Sequence, residues 1–388
     1  YRLVNAATTS NEPAFDHADL AKALSQAVNK KVDPDNLPIG QLEFTFTPWA
    51  ISFTAFQKRW IFDSATCQQT VLKTSLERES RSPDGHHSVF VRDHNLWLRS
   101  FNQDGEEGVE HPLTGDGEEH YAYGAVPNMI AAGQELSGLG DLQVAWSPDS
   151  KRLFAVQLDM RQVKSLPVVH HVPEDGSVRP RLEEYKYPMP GDTHMPEYRL
   201  VVIDIENRKI IPAEYPPICF TFLFPFFTDQ RGWWATDSQH AYFVDLKRGA
   251  QDVQVVEFNT LTGKTRVLFE ETSTTWINLH PGNYHNPSLF MPLPETQELI
   301  WYSERSGWAH LYLYDLKTGE LKQTITQGEW VVRELLYFDA SRRELWLQTG
   351  GRTKEHDPYY KDICRVHIDS GQLTSVVATD HDYYVDND

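Results

Sequence analysis

The strongest constraint on this fold is a tight turn that returns at a nearly fixed interval. It reads as Asp204…Asn207, as Asn259-Thr260-Leu261-Thr262-Gly263, as Asp315-Leu316-Lys317-Thr318-Gly319 and as Asp369-Ser370-Gly371. Asn207, Gly263, Gly319 and Gly371 lie 56, 56 and 52 residues apart. Gly and Asn tolerate the positive φ that a tight hairpin turn demands, so this spacing marks a recurring hairpin. A second mark keeps step with the first: Ser82-Pro83-Asp84-Gly85, Ser147-Pro148-Asp149-Ser150, Thr236-Asp237-Ser238 and Asp339-Ala340-Ser341. Each of these is followed by a run that reads as a strand.

Between the turns the segments are short and rich in β-branched and aromatic residues. Ser88-Val89-Phe90-Val91, Leu200-Val201-Val202-Ile203 and Leu311-Tyr312-Leu313-Tyr314 are examples. Long helical periods are absent after Gln41, which makes the fold class all-β. A strand-rich repeat of a little over fifty residues suits a β-propeller blade of four antiparallel strands. Dividing the roughly 350 residues after Gln41 by that period gives six to seven units. One interval is too long: Gly105 to Asn207 spans 102 residues. The surplus is expected in two insertions, about residues 118–142 and about residues 160–198. The second holds Pro167, Pro173, Pro180, Pro188, Pro190 and Pro196, which predicts an extended, stiff arm. Residues 1–40 differ from the rest. Leu20, Leu24 and Val28 recur at helical spacing behind a capping Asp16, and Pro34 and Pro38 end the pattern. The expected organisation is therefore an N-terminal helix and linker over 1–40 and a β-propeller domain over 41–388.

Composition excludes several classes of function. The 36 Lys and Arg stand against 55 Asp and Glu, a formal charge of −19, which is a poor basis for gripping phosphate backbones. Nucleic acid is not an expected partner. The most apolar run, Ile218 to Phe227, is interrupted by Pro225 and is far shorter than the roughly 20 residues of a membrane span. Cys67, Cys219 and Cys364 are scattered and odd in number, and read as buried free thiols. The chain begins at Tyr1 without an apolar leader, so it reads as processed or cut, and its compartment is not assigned.

Catalytic motifs are missing. There is no G-x-S-x-G elbow, H-E-x-x-H, P-loop or G-x-G-x-x-G. His86-His87 and His170-His171 are adjacent pairs, and neighbours on a strand face opposite ways, so neither pair is expected to hold a metal. The acidic pairs Glu106-Glu107, Glu118-Glu119, Glu183-Glu184 and Glu270-Glu271 read as solvated surface. No catalytic residue, metal or cofactor is expected.

Three motifs carry a resemblance. Trp301-Tyr302-Ser303-Glu304-Arg305-Ser306-Gly307-Trp308-Ala309-His310-Leu311-Tyr312, continuing to Ile325-Thr326-Gln327-Gly328-Glu329-Trp330-Val331, is the longest. Glu271-Thr272-Ser273-Thr274-Thr275-Trp276-Ile277 and Ala145-Trp146-Ser147-Pro148-Asp149-Ser150 are the others. From about residue 75 onward the chain resembles the amino-terminal propeller of the dipeptidyl peptidase IV family. The resemblance implies an eight-bladed propeller followed by an α/β-hydrolase domain with a Ser-Asp-His triad, in enzymes that remove dipeptides from peptide amino termini. Combined with the repeat count, this gives an expectation of seven to eight four-stranded blades, the last of which can be incomplete. The hydrolase domain is absent from this chain, which reads as a domain of a larger serine peptidase, inactive alone.

The resemblance also implies a site. The family's propeller binds the substrate's free α-amine with two consecutive glutamates on a short helical insertion before the Trp-Ser-Pro opener. Here Gln134 stands where the first glutamate is expected and Glu135 matches the second. One negative charge is lost, so amine binding should be weaker than in the family. The family's propeller arginine finds no match, since Lys58 and Arg59 do not fall on the expected spot. The 160–198 arm corresponds in position to the one that family members use to dimerise, which makes a homodimer one expectation and folding back onto its own blade the other. The expected function is the non-catalytic propeller of a dipeptidyl aminopeptidase, gating peptide access and binding the N-terminal amine. The alternative is a stand-alone propeller used as a protein-interaction scaffold.

Overall fold

The computed structural model describes residues 2–5, 10–46, 49–56, 58–70, 79–102, 107–126, 142–171, 178–219, 226–227, 229–279, 288–354 and 356–377. These form one α-helix and a series of antiparallel sheets, as the turn and strand pattern requires. No helix among them is long and apolar enough to cross a membrane. The chain divides into two compact units, Tyr1–Glu77 and Arg78–Asp388.

In the first unit a hairpin, Arg2–Asn5 with Ser10–Pro13, precedes the helix His17–Val28. Asp16 caps that helix, its carboxylate accepting from the backbone N–H of Ala18 at 2.8 Å and of Asp19 at 2.9 Å. Asn29 closes it in the left-handed conformation. Leu20, Ala21, Ala23 and Leu24 are buried with Ile51, Phe53, Trp60 and Phe62 of sheet I (Gly40–Phe46, Trp49–Ala55, Lys58–Phe62, Cys67–Thr70). Burying a leucine such as Leu20 contributes about 1.5–3 kcal/mol, so packing on the sheet, more than propensity, holds this twelve-residue helix.

Among the described residues the second unit holds five more sheets of four or more strands, paired in chain order except in sheet III, and one two-stranded sheet. Sheet II comprises Ser80–Arg81, His87–Arg92, Asn95–Phe101 and Glu107–Pro112. Sheet III is built on Arg152–Asp159, Glu197–Asp204 and Lys209–Pro212. Its first strand is split into Tyr121–Tyr123 and Val144–Trp146, and Ile218–Cys219 adds to Glu197–Asp204. Sheet IV comprises Gly232–Trp234, His240–Leu246, Asp252–Asn259 and Thr265–Thr272. Sheet V comprises Phe290–Leu293, Glu298–Ser303, His310–Asp315 and Leu321–Thr324. Sheet VI comprises Val331–Asp339, Glu344–Gly350, Lys361–His367 and Leu373–Val377.

Alternation along the strands explains how these sheets join. Leu153 and Ala155 pack with Val89 and Leu98 of sheet II, whereas Phe154, Val156 and Leu158 pack with Phe243, Val256 and Phe258 of sheet IV. Likewise Leu299 and Trp301 face sheet IV, and Ile300 and Tyr302 face sheet VI. Strands buried on both faces need apolar residues at every position, hence runs such as Leu299-Ile300-Trp301-Tyr302.

The two recurring turns tie neighbouring sheets together. Each opener joins the first strand of a sheet to the second, and the openers bond to one another: Asp84 N to Ser150 Oγ at 3.1 Å and Asp149 N to Ser238 Oγ at 3.1 Å. Sheet V has an opener of its own, Pro294-Glu295-Thr296-Gln297, with Gln297 at φ 54, that the motif search passes over. The other turn joins third strand to fourth. Gly263, Gly319 and Gly371 all have positive φ there. In the first copy the left-handed residue is Arg208, one position after Asn207, which like Thr262 and Thr318 donates its N–H to the side chain that opens the turn. In the last copy the turn opens at His367, whose carbonyl accepts from Gly371 N, two residues before Asp369.

The 160–198 insertion leaves sheet III between Asp159 and Glu197. Its described part is a two-stranded hairpin, Ser165–His170 with Arg181–Lys186. It is a ladder, not the proline-stiffened extended arm expected from composition. Pro167 fits because a two-stranded hairpin has free edges on both sides.

Candidate functional site

The split first strand of sheet III is where the other insertion departs. Tyr121–Tyr123 and Val144–Trp146 both pair with Arg152–Asp159, so residues 124–143 interrupt one continuous edge strand. Residues 127–141 lie outside the described residues, and Gln134 and Glu135 with them. The roots of the insertion are described, and they are tightly held. Gly124 N donates to Val156 O at 2.8 Å, and Gln143 N donates to Gly124 O at 3.0 Å. Gly124 sits at φ 61, and a Cβ there would come within 2.7 Å of Leu142 Cδ1. The excursion therefore starts and ends at one backbone bond on the open edge of the sheet.

Gln143 links this root to the next sheet. It is fully buried, and its Oε1 accepts from Phe227 N at 2.8 Å. Phe226, Phe227 and Phe154 meet edge to face, with centroids 5.0–6.2 Å apart. Gly232 makes room for them, since a Cβ would stand 2.6 Å from Phe226 and 2.8 Å from Phe227. Beside this knot lies a buried ion pair, Arg231 Nε to Asp229 Oδ2 at 3.0 Å, with both side chains at most 2% exposed. Asp229 Oδ1 also accepts from Ser288 N at 2.7 Å and Ser288 Oγ at 3.0 Å, reaching the start of sheet V. Two charges so far from water persist only in fixed geometry, so they orient the chain entering sheet IV. Motif reading missed Gln143, Asp229 and Arg231, because nothing in Asp229-Gln230-Arg231 distinguishes a buried pair from a surface one.

On the other side of the insertion, ionic contacts set the root of the arm. Arg161 binds Asp159 through Nη2–Oδ2 at 2.7 Å and lies 3.8 Å over the Tyr121 ring. The Arg161 guanidinium holds the Asp159 carboxyl below its ordinary range. Arg199 donates to Tyr121 Oη at 3.3 Å. Burial, with the hydrogen bond to Asp116, pushes the Tyr123 phenol upward. Glu118 is exposed and reaches Arg161 at 3.5 Å, and Glu119 is more exposed still. On the arm itself, His170 Nε2 meets Glu183 Oε2 across the ladder at 2.8 Å. Lys58 and Arg59 belong to sheet I, where they bond Gln69 and Ser52. Cys364 is buried and its thiol is pushed up to about 11 by burial, whereas Cys67 and Cys219 are only half-buried.

Comparison with known proteins places the chain in a family. The family model of the dipeptidyl peptidase IV (DPP IV) N-terminal region matches residues 52–387. The chain belongs to that family. A probable dipeptidyl peptidase 4 of Emericella nidulans is 26% identical over 352 residues, 84% of this chain and 44% of that protein. A probable dipeptidyl-aminopeptidase B of Aspergillus niger is 31% identical over 372 residues, 87% of this chain and 38% of that one. The crystal structure of Porphyromonas gingivalis dipeptidyl peptidase 4 superposes with a TM-score of 0.60 at 18% identity, covering 88% of this chain and 44% of that chain. That last likeness bears on the fold alone. The chain thus spans less than half the length of these relatives.

The motifs that carry the family resemblance have a visible role in the structure. Glu271, from the outer strand of sheet IV, accepts from Trp301 Nε1 at 3.0 Å, Ser303 Oγ at 2.5 Å and Arg305 Nη2 at 2.6 Å, all of sheet V or its turn. His310 is fully buried, with Nε2 at 2.9 Å from Gly328 O and Nδ1 at 3.0 Å from Thr326 Oγ1. The Gly328 carbonyl only accepts, so Nε2 carries a proton, and in the neutral imidazole Nδ1 then accepts from the Thr326 hydroxyl. In this region residues of the family signature form latches between and within sheets.

Proposed function

We propose that this chain is the β-propeller part of a serine-type dipeptidyl aminopeptidase, controlling peptide access and binding the substrate's N-terminal amine. The observation that carries the reading is the family match over residues 52–387, in a chain that spans 44% of a relative named as a dipeptidyl peptidase. A C-terminal α/β-hydrolase domain is the partner in this reading. The six sheets of four or more strands are taken as blades, and the seven to eight expected from the repeat include them. The arm at 160–198 is taken as a contact for a second copy of the chain.

Glu135, with Gln134 beside it, is the proposed amine-binding residue. A cationic amine taken from water needs an anionic acceptor, and a charge-assisted hydrogen bond is the strong kind. The interrupted edge strand supports the assignment, because an insertion rooted there emerges from the edge of sheet III that no neighbouring strand covers among the described residues. Gln134 keeps an acceptor but removes one charge.

The test uses the full-length protein. Glu135→Gln should raise KM and lower kcat/KM for free-amine substrates about ten- to a hundred-fold, as expected for losing about 1.5–3 kcal/mol. Gln134→Glu should do the reverse. Kinetics unchanged in both variants would remove Glu135 from the site. The isolated chain should neither hydrolyse dipeptidyl chromogenic substrates nor be labelled by a serine-directed phosphonate.

A further inference from the structure

The face of sheet III that looks toward sheet II is apolar at one end and polar at the other. Leu153, Ala155, Val201 and Ile203 pack there with Val89 and Leu98, and strand alternation puts Gln157, Asp159, Glu197 and Arg199 on the same face. Register fixes their order. Tyr123, Gln157 and Arg199 stand side by side on one rung, and Tyr121, Asp159 and Glu197 on the next. Residues directly opposite on one face have Cβ atoms about 4.5–5.5 Å apart, so Gln157 is flanked by Tyr123 and Arg199. Arg199 lies two strands from Tyr121, yet its Nη1 donates to Tyr121 Oη at 3.3 Å. That bond passes over the central strand, between the levels of Gln157 and Asp159.

Three groups at this crossing have donor capacity left. Gln157 is 4% exposed, and its Nε2 has no hydrogen-bond partner among the described residues. Arg199 makes no ion pair among them, and its guanidinium bonds a neutral phenol. Tyr121 accepts that bond, so its own hydrogen remains to be donated, and no described residue takes it. The carboxylates nearest the crossing are engaged. Arg161 holds Asp159 at 2.7 Å and Glu118 at 3.5 Å, while Asp116 accepts from Tyr123 Oη at 2.8 Å. Glu197, on the outer rung, is exposed to water.

A buried donor without an acceptor is costly, and a guanidinium fork matches a planar carboxylate, whose two oxygens offer about four lone-pair sites. Asp159 does not fill that role, because Arg161 already grips it. We propose that Arg199, Gln157 and Tyr121 form a binding site for a carboxylate group. Arg199 supplies charge and the fork, and Gln157 Nε2–H and Tyr121 O–H supply two neutral donors beside it. The carboxylate can belong to a free small acid or to the C-terminus of a peptide. The site does not depend on the amine-binding reading.

Calorimetric titration of this chain tests it. One arm adds acetate and the other N-acetyl-triglycine, each against its own amide at matched ionic strength. At least one carboxylate should bind with millimolar affinity while its amide does not. Binding of both assigns a free acid, and binding of the tripeptide alone assigns a peptide C-terminus. Arg199→Gln and Gln157→Met should each weaken binding about tenfold or more. Arg199→Lys should fall between wild type and Arg199→Gln, since it keeps charge but loses the fork. Gln157→Glu should abolish binding by setting a like charge against the ligand. The side-chain amide resonance of Gln157, assigned by its loss in Gln157→Met, should shift as the carboxylate is added. Because that amide nitrogen has no partner in the free protein, Gln157→Met should keep or raise the ligand-free melting temperature. Binding of neither carboxylate, equal binding in Arg199→Gln and Gln157→Met, an unmoved Gln157 resonance, or a large ligand-free destabilisation in Gln157→Met would overturn the proposal.

Discussion

Glu298 shows how much a single buried residue can hold. Its side chain is 3% exposed in sheet V, yet Lys322 of the same sheet and Arg343 of sheet VI both bind it, the latter at 2.9 Å. Arg343 also grips Asp369 with two bonds of 2.6 Å. Burial opposes ionisation of Glu298, but the hydrogen bonds from Lys322, Thr296 and Arg343 outweigh it and hold its carboxyl below the ordinary range. Glu298→Gln should therefore destabilise at pH 7. Breaking a buried pair costs about 3–5 kcal/mol, and the loss here should sit at or below the low end because both cations reach water. A carboxyl depressed in the folded state contributes stability above its unfolded value of about 4.3 and loses it as pH falls through the folded value. The gap between wild type and variant in urea unfolding should close as pH drops below about 4.3. A constant gap would show that the charge of Glu298 does not matter. None of this was legible in the sequence, where Glu298 belongs to no motif. The partners come from positions 24 and 45 residues away, and only the sheet register unites them.

At the scale of elements the sequence is far more informative, because turn chemistry is local. The recurring hairpin was read from glycines at φ 87, 79 and 68, and each lies where third and fourth strands meet. Two details were lost, Arg208 for Asn207 and His367 for Asp369. Each arises because the left-handed residue is the fifth of the turn whatever its type, which makes it Arg208 counted from Asp204 and sets the start at His367 for Gly371. Spacing also hid why the glycines are needed. A Cβ on Gly319 would lie 2.2 Å from Leu268 O in the outer strand of sheet IV, and one on Gly263 2.7 Å from Pro212 O in sheet III. These turns lean on the preceding sheet. Gly249, at φ 94, has nothing within 4 Å of such a Cβ. Gly249→Ala should cost about 1–2 kcal/mol for the left-handed backbone alone. Gly319→Ala adds an overpacking penalty of about 1–3 kcal/mol, so the two melting temperatures should differ clearly. Equal losses would mean that the turn does not bear on its neighbour. The broken period drew attention to the interval between Gly105 and Asn207, within which sheet III is interrupted between Tyr123 and Val144 and again between Asp159 and Glu197. The hairpin inside the second interruption was missed because prolines signal stiffness without excluding a free-edged ladder.

Over the whole molecule, two pH-dependent effects of opposite sign compete near neutrality. The chain carries a formal charge of −19 at pH 7 and has a sequence pI near 5.3, so acidifying toward pH 6 relieves self-repulsion and favours the folded state. His310 acts the other way. Burial lowers its pKa in the folded protein, partly opposed by the Gly328 carbonyl. Below about pH 6.5 the unfolded chain takes up a proton at this position that the folded chain refuses, so stability falls with pH from there down to the folded value. The slope from one such group is at most about 1.4 kcal/mol per pH unit. Repulsion between exposed charges is screened beyond about 8 Å at physiological salt and about 3 Å at 1 M, whereas the buried imidazole barely senses salt. At low ionic strength the terms should offset, leaving the urea midpoint nearly flat between pH 7 and 6. In molar salt the repulsive term disappears, and the midpoint should decline with pH at a slope set by His310. His310→Gln, which binds no proton, should be less stable at pH 7 and lose that salt-exposed slope. If its midpoint tracks the wild-type decline in parallel, the acid sensitivity belongs to other groups and the latch around Thr326, Gly328 and Trp330 works by packing alone.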